Sequence, residues 1–369
     1  MKRILELICE PVTSGGEEAF LINLTKSINQ TDFKIELYAP FGFFNDYYKT
    51  IFKDYNVSVY DKKEPLNPNG FRINLLFPLY NFLKSEKYDV IHIHSSQLSP
   101  LAIASLSSKM NNIEKIILHS HSSGLNNVKH KIAKLLLNPL FFICPTDFIA
   151  CSMAAGESKF PKFVVKNKLE IIKNGIDLDR FNINEEKRDE YRNKLGCTDD
   201  DMIIGHVGRF SDEKNHEFII DLFSELHKKD NRYKLLLVGD GELKDSIQSK
   251  AEALGLSDFI TFTGNVDNVQ DYMQAIDLFI LPSKYEGLGI VGVEAQACGL
   301  PCIFSTGVPE EAKLTDNVEF LSLEDKNQWI ETVEKMIKMP KSDNTEIIRT
   351  SGYDIKDTAR RLEEIYLSR

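Results

Sequence analysis

The chain has 369 residues, 42% of them hydrophobic and 27% charged, with a net charge of −10. That length supports two domains with separate cores, and the composition is that of an ordinary globular protein. An acidic chain without long basic runs excludes nucleic acid as the expected partner. The charge is uneven, since residues 1–165 hold 18 Lys/Arg against 15 Asp/Glu and the remainder 27 against 40. Such asymmetry predicts two units with different partners.

The opening MKRILELICEPV carries two basic residues, but Glu6 and Glu10 break its apolar stretch. It reads as a buried first strand rather than a secretory leader. No run of about 18 apolar residues follows, so no membrane-spanning helix is expected. The six cysteines form no CxxC pair, which predicts reduced, mostly buried thiols and a cytoplasmic location. Next come the strand-like runs RILELICEP, KIELYAP, DVIHIHSS, KIILHSHSS and FIACS, separated by helical stretches such as EEAFLINLTKSI and NLLFPLYNFLKS. After KNGIDLDRF the pattern restarts with MIIGHVGRF, YKLLLVGDG, FITFTGNV, LFILPS and PCIFST. Helices are predicted near 216–229, 242–254, 268–275 and 292–299, while 310–345 is poor in apolar periodicity. This alternation predicts an α/β protein with two doubly wound parallel sheets. The boundary falls at about residue 180, giving domains 1–180 and 181–369, with the last helix free to cross back to the first. Ligands of open parallel sheets sit at the carboxyl ends of strands, so the loops there would line a cleft between the domains.

Six of those loops carry candidate residues. SGGEEAF places Gly15 and Gly16 before a helix, where backbone N–H groups can meet an anion or hydroxyl; a plain turn explains them equally well. HIHSS and HSHSS each end a strand with two histidines on one face. A four-histidine metal site is conceivable, but no Asp or Glu lies beside them in sequence, and for each histidine a structural role is the commoner one. His121, last before its loop, is the best functional candidate. GRFSDEKN brings Gly208, Arg209 and Lys214 to a strand end; the pair suits a diphosphate, unless Asp212 and Glu213 neutralise it. VGDGEL offers Gly239 in another glycine turn. The DxD spacings at Asp177/Asp179 and Asp199/Asp201 fall in polar linkers and suit caps better than a metal. In LFILPSKYEGLGIVGVEAQACGLP, Pro282 ends a strand and Glu286 lies in the loop. Leu288 and Gly289 expose amides, a helix begins near Ile290, and Glu294 stands one turn in. Carboxylates suit vicinal hydroxyls because each accepts two hydrogen bonds.

Together these residues resemble the GT-B glycosyltransferases of family 4, which are retaining enzymes. The resemblance rests on GGEEAFLINL, DVIHIHS, IILHSHSS, IIKNGIDLDRF, VGRFSDEKN, LLLVGDGEL and above all YEGLGIVGVEAQACGLPCIFS, whose Glu286 and Glu294 match the family's E-x7-E motif. The pattern is most similar to bacterial enzymes of exopolysaccharide and capsule synthesis. The resemblance implies transfer from a nucleotide sugar, with UDP the expected nucleotide, to a glycan or lipid-linked acceptor, with no metal or other cofactor required. By position, Arg209 and Lys214 would stabilise the leaving diphosphate, and Glu294 would bind ribose. Glu286 with the Leu288, Gly289 and Ile290 amides would hold the sugar. His121 would stand near the transferred sugar, with His119 the competing assignment. Gly15 and Gly16 would contact diphosphate or acceptor. Two other classes compete: a non-catalytic sugar-nucleotide-binding subunit, and a GT-B-fold epimerase of UDP-N-acetylhexosamine.

Finally, NNVKHKIAKLLLNPLFFI sets Lys129, Lys131 and Lys134 before a strongly apolar run. Such a helix either lies on the inner face of an anionic membrane or packs its apolar face into a core, and the core role is the commoner.

Overall fold

The computed structural model describes residues 1–12, 15–44, 46–64, 72–122 and 128–368. Two compact units result: Met1–Ile176 together with Gly352–Arg369, and Asp177–Ser351.

The first unit runs β1 (Lys2–Ile8), α1 (Gly16–Ser27), β2 (Phe33–Ala39), α2 (Asp46–Asp54), β3 (Ser58–Asp61), α3 (Leu76–Ser85), β4 (Val90–Ser95), α4 (Leu98–Met110), β5 (Lys115–Ser120), α5 (Val128–Ile143), β6 (Asp147–Ala150), α6 (Met153–Lys159), α7 (Lys162–Asn167) and β7 (Leu169–Ile171). Its parallel sheet has the order β3-β2-β1-β4-β5-β6-β7. The central strands are buried on both faces, as a sheet covered by helices on both sides demands. Side chains alternate along them, so Ile91 and Ile93 join one core while Val90 joins another on the opposite face.

The second unit runs α8 (Glu185–Lys194), β8 (Met202–Val207), α9 (His216–Lys229), β9 (Tyr233–Val238), α10 (Lys244–Ala253), β10 (Ile260–Phe262), α11 (Val269–Ala275), β11 (Leu278–Leu281), α12 (Ile290–Ala297), β12 (Cys302–Ser305), β13 (Val318–Leu321), α13 (Lys326–Met336) and α14 (Thr345–Ile348). Its sheet order is β10-β9-β8-β11-β12-β13. In both sheets the order reverses beside the first strand, at β1/β4 and at β8/β11, and these switch points are where doubly wound sheets open for ligands.

The stretch 310–345, which shows little apolar periodicity, nevertheless forms β13 and α13. Trp329, Ile330, Val333 and Met336 are the buried positions of that helix, embedded among exposed polar residues. The Trp329 indole N–H donates to the Ser322 carbonyl at 2.9 Å, so its burial leaves no polar atom unsatisfied. The last helix, α15 (Ile355–Leu367), packs Leu362, Ile365 and Tyr366 into the core of the first unit, beside Ile4, Phe20 and Leu24. All six cysteines are free, and all but Cys197 are buried. Among the described residues no helix is long and apolar enough to cross a membrane.

Candidate active site

The second unit gathers its candidates at the β8/β11 switch point. β8 ends at Val207, and Gly208 donates its N–H to the Val238 carbonyl at 3.0 Å. This binds the loop after β8 to the end of β9. Gly239 follows at φ 135°, and a Cβ there would stand 2.1 Å from the Gly208 carbonyl oxygen. Gly239 is therefore demanded by the approach of two loops, whatever a ligand adds.

Arg209 points its guanidinium at Glu242, with Nη2–Oε2 3.0 Å and Nε–Oε2 3.2 Å, on the surface. Lys214 lies deeper, and its Nζ meets Glu286 Oε1 at 2.5 Å. Ser283 Oγ donates to the same oxygen at 2.6 Å, and the Glu286 N–H donates to Gly307 O at 3.0 Å. The alternative, neutralisation of the pair by Asp212 and Glu213, is not what forms: Asp212 pairs with Lys284 at 2.6 Å. The Lys284 N–H also donates to Glu213 O at 2.7 Å, so the loops after β8 and β11 are laced together.

Helix α12 begins at Ile290, as the sequence predicts, because Gly289 caps it at φ 76°, ψ 57° in the left-handed region. Among the described residues, none of the turn and loop backbone hydrogen bonds is donated by Leu288, Gly289 or Ile290, so the helix start presents open donors. Gly292 has a different reason: a Cβ there would stand 2.7 Å from Phe304 Cζ, so it lets α12 press onto β12. Glu294 is partly buried one turn in. Burial pushes its carboxyl up to about 8, with the charge of Arg180 opposing.

In the first unit, parallel pairing sets Glu6 opposite His92 and His94 opposite His119. The carboxylate that sequence neighbours do not supply thus comes from β1. Glu6 Oε2 meets His94 Nε2 at 2.7 Å, and Glu6 Oε1 accepts from the Tyr366 hydroxyl at 2.9 Å. His94 Nδ1 meets His121 Nε2 at 2.8 Å, His92 Nδ1 meets the Tyr366 hydroxyl at 2.7 Å, and His92 Nε2 meets His119 Nδ1 at 3.2 Å. With the Tyr366 hydroxyl donating to Glu6, one arrangement of the ring protons satisfies all of these contacts. His94 and His121 carry theirs on Nε2, and His92 and His119 on Nδ1. Nitrogens of His92, His94 and His119 come within 4.8 Å of one another, the spacing of a metal triad, yet in this arrangement most are engaged in hydrogen bonds. Phe20 of α1 lies edge-on to His119 and tilted against His94 and His121. Of the two assignments, His119 on β5 is fully buried and His121, one residue past the strand, is partly exposed, so of the pair only His121 offers surface to a ligand. Burial, with His92 beside it, lowers the His121 imidazole to about 3, and it is neutral at pH 7.

Gly15 caps α1, but its N–H is donated to Glu18 Oε2 at 3.1 Å rather than left open; Gly16 is exposed. Sequence reasoning missed three further groups here. Glu10 accepts from Ser95 Oγ at 2.6 Å and from the Ser96 N–H at 3.1 Å, and burial lifts it to about 7. Lys159 is buried, donates to Ser122 O at 3.0 Å, and is lowered by burial to about 8. Tyr366 arrives from the far end of the chain. The one signal available was a charged Glu6 inside an otherwise apolar strand.

Two doubly wound parallel sheets, each switching beside its first strand, define an architecture that binds ligands at the loops after its strands, and the second unit sets a cation–carboxylate pair and an open helix start there. The model of the family "Glycosyltransferase Family 4" matches residues 14–180, and that of "Glycosyl transferases group 1" matches 187–350. The chain belongs to the family 4 glycosyltransferases of GT-B fold. It is 28% identical to EpsF of Bacillus subtilis (strain 168), named as a glycosyltransferase, over 99% of this chain and 96% of that one. It is 26% identical to the capsular polysaccharide biosynthesis glycosyltransferase CapH of Staphylococcus aureus, over 79% of this chain and 81% of that one. Among solved structures it is similar in fold to Anabaena HepE in complex with UDP and glucose, with a TM-score of 0.74, 19% identity and 99% of each chain covered.

Proposed function

We propose that this glycosyltransferase moves a hexose from a UDP-sugar, with retention of anomeric configuration, to a glycan or lipid-linked acceptor in exopolysaccharide or capsule synthesis. The observation that carries the reading is the Lys214–Glu286 pair beside the open amides of α12, with Glu294 one turn further on. Relatives support its details. One, 29% identical over 62% of this chain and 61% of that one, is an Escherichia coli galactosyltransferase named for UDP-Gal and a diphosphoundecaprenol-linked acceptor.

On this reading the donor diphosphate replaces Glu286 as partner of Lys214 and Glu242 as partner of Arg209. Glu286, released, accepts from hydroxyls of the sugar, which the Leu288, Gly289 and Ile290 amides also hold. Glu294 accepts from the ribose. His121, neutral, accepts or donates one hydrogen bond near the sugar, and Gly16 and Gly208 leave room beside the phosphates. A front-face displacement on this reading needs charge stabilisation of the departing diphosphate more than it needs a base. Charge stabilisation of the leaving diphosphate therefore supplies most of the acceleration. The proposal includes independence from metal ions.

The test is a donor screen by UDP release, with and without EDTA, using a membrane lipid extract as acceptor. Turnover of one UDP-sugar, unaffected by EDTA and dependent on the extract, is the expected result. Binding without turnover would assign the protein as a non-catalytic subunit. Conversion of UDP-N-acetylhexosamine without acceptor would assign it as an epimerase.

A further inference from the structure

Helix α5 is apolar on two opposite faces. Leu137 and Phe141 are buried, with Ala133 and Leu140 packed beside them, and they join the core against α4 and β6. The core role weighed for this helix accounts for those residues alone. On the other side Ile132, Leu135, Leu136, Phe142 and Ile143 are exposed, Leu135 by 72% and Leu136 by 65%. Their spacing keeps them on one stripe along three turns, with Pro139 exposed between. The stripe continues onto α7, where exposed Phe163 lies 6.2 Å, ring to ring, from Phe142. A contiguous apolar surface of this kind marks an interaction site.

Charge says what covers it. Residues 128–168 hold seven lysines and only two acids, Asp147 and Glu157, in a chain whose net charge is −10. Asp147 is already paired with Lys115 at 3.0 Å. Lys131, Lys162, Lys166 and Lys168 are exposed around the stripe, while Lys134 donates to the Glu157 carbonyl. The side chain of Lys129 lies outside the described residues. Lysine is depleted where proteins meet proteins. Beside an apolar stripe it is characteristic of helices lying in an anionic bilayer surface, its stem in the acyl boundary and its ammonium at the phosphates.

We propose that the exposed stripe of α5 and Phe163 of α7 dock the first unit onto an anionic lipid bilayer. The purpose rests on the lipid-linked acceptor proposed above, since α5 begins seven residues after His121; the docking itself does not. The full chain is sedimented with vesicles of equal parts phosphatidylglycerol and phosphatidylcholine, and with phosphatidylcholine alone, without any donor. The expected result is binding to the anionic vesicles that weakens with salt. It should drop about 10-fold or more in a Leu135→Ser, Leu136→Ser, Phe142→Ser variant. Lys162→Glu with Lys166→Glu should weaken anionic binding only. Melting temperature and UDP affinity of each variant report folding and the donor site separately. Absence of binding by the wild-type chain, or equal binding by folded variants, would overturn the proposal. So would self-association through the same residues with no vesicle binding, which would assign the stripe to a second copy.

Discussion

At the scale of single residues, Lys214 and Glu286 satisfy each other in the free protein, so each is held ready and neither is an uncompensated buried charge. Lys214→Ala should lower kcat/KM about 100-fold or more, as loss of one preorganised charge does. Stability should fall by no more than about 2 kcal/mol, because Ser283 still serves the Glu286 carboxylate. Steady-state kinetics with denaturant melting checks both, and a variant with wild-type turnover would remove Lys214 from the mechanism. Glu294 makes a pH prediction. Its carboxyl titrates near 8 in the free protein and is therefore largely protonated at pH 7. On the proposed function two ribose hydroxyls would stabilise the carboxylate, so UDP binding should release a proton at pH 7. Calorimetry in buffers of different ionisation enthalpy reads that proton directly, and Glu294→Gln should abolish it. For folding, the raised value means that stabilisation from neutral Glu294 is complete below about 4.5 and fades as pH rises through about 8. The E-x7-E pair was legible because strand, loop and helix hold both acids within nine consecutive residues. The partners of Arg209 and Lys214 were not. Glu242 stands 33 residues away and Glu286 stands 72, and only sheet order makes them neighbours.

At the scale of elements, the glycines divide by cause. Gly289 serves a left-handed cap, Gly292 serves helix–strand packing, and Gly239 serves the contact of two loops. Gly239→Ala combines an unfavourable φ with a backbone collision that no rotamer change relieves. It should cost about 3 kcal/mol or more and displace Arg209 with its loop. Urea unfolding measures the first effect and UDP affinity the second, and a fully stable variant would contradict the geometry. Periodicity located α9 to α12 well, yet it failed over 310–345. There α13 concentrates its burial in four positions among polar neighbours, so its apolar signal is thin. Helix α5 shows the opposite failure. From Leu135 onward its sequence is apolar almost without a break, and pattern alone cannot say that Leu137 is inside while Leu136 is outside.

At the scale of the whole molecule, the chain leaves its first unit after Ile176 and returns to it at Gly352. Helix α15 then covers α1 and the histidine face of the sheet. Tyr366 reaches Glu6 across 360 residues of sequence. Removing residues 352–369 would uncover Phe20, Leu24 and Ile4 and leave Glu6 without its hydroxyl donor. Such a truncated chain should lose the cooperative melting of the first unit while Asp177–Ser351 still binds UDP. Calorimetry with a UDP titration tests this, and a truncated chain melting like the full one would refute it. By itself the sequence determined the α/β class, the order of elements and the family, because each is written in short-range spacing. Only the tertiary structure decided which charges pair, which groups the four histidines meet around Glu6, and which face of α5 remains uncovered. Those depend on strand order and register, which bring together residues that no local pattern connects.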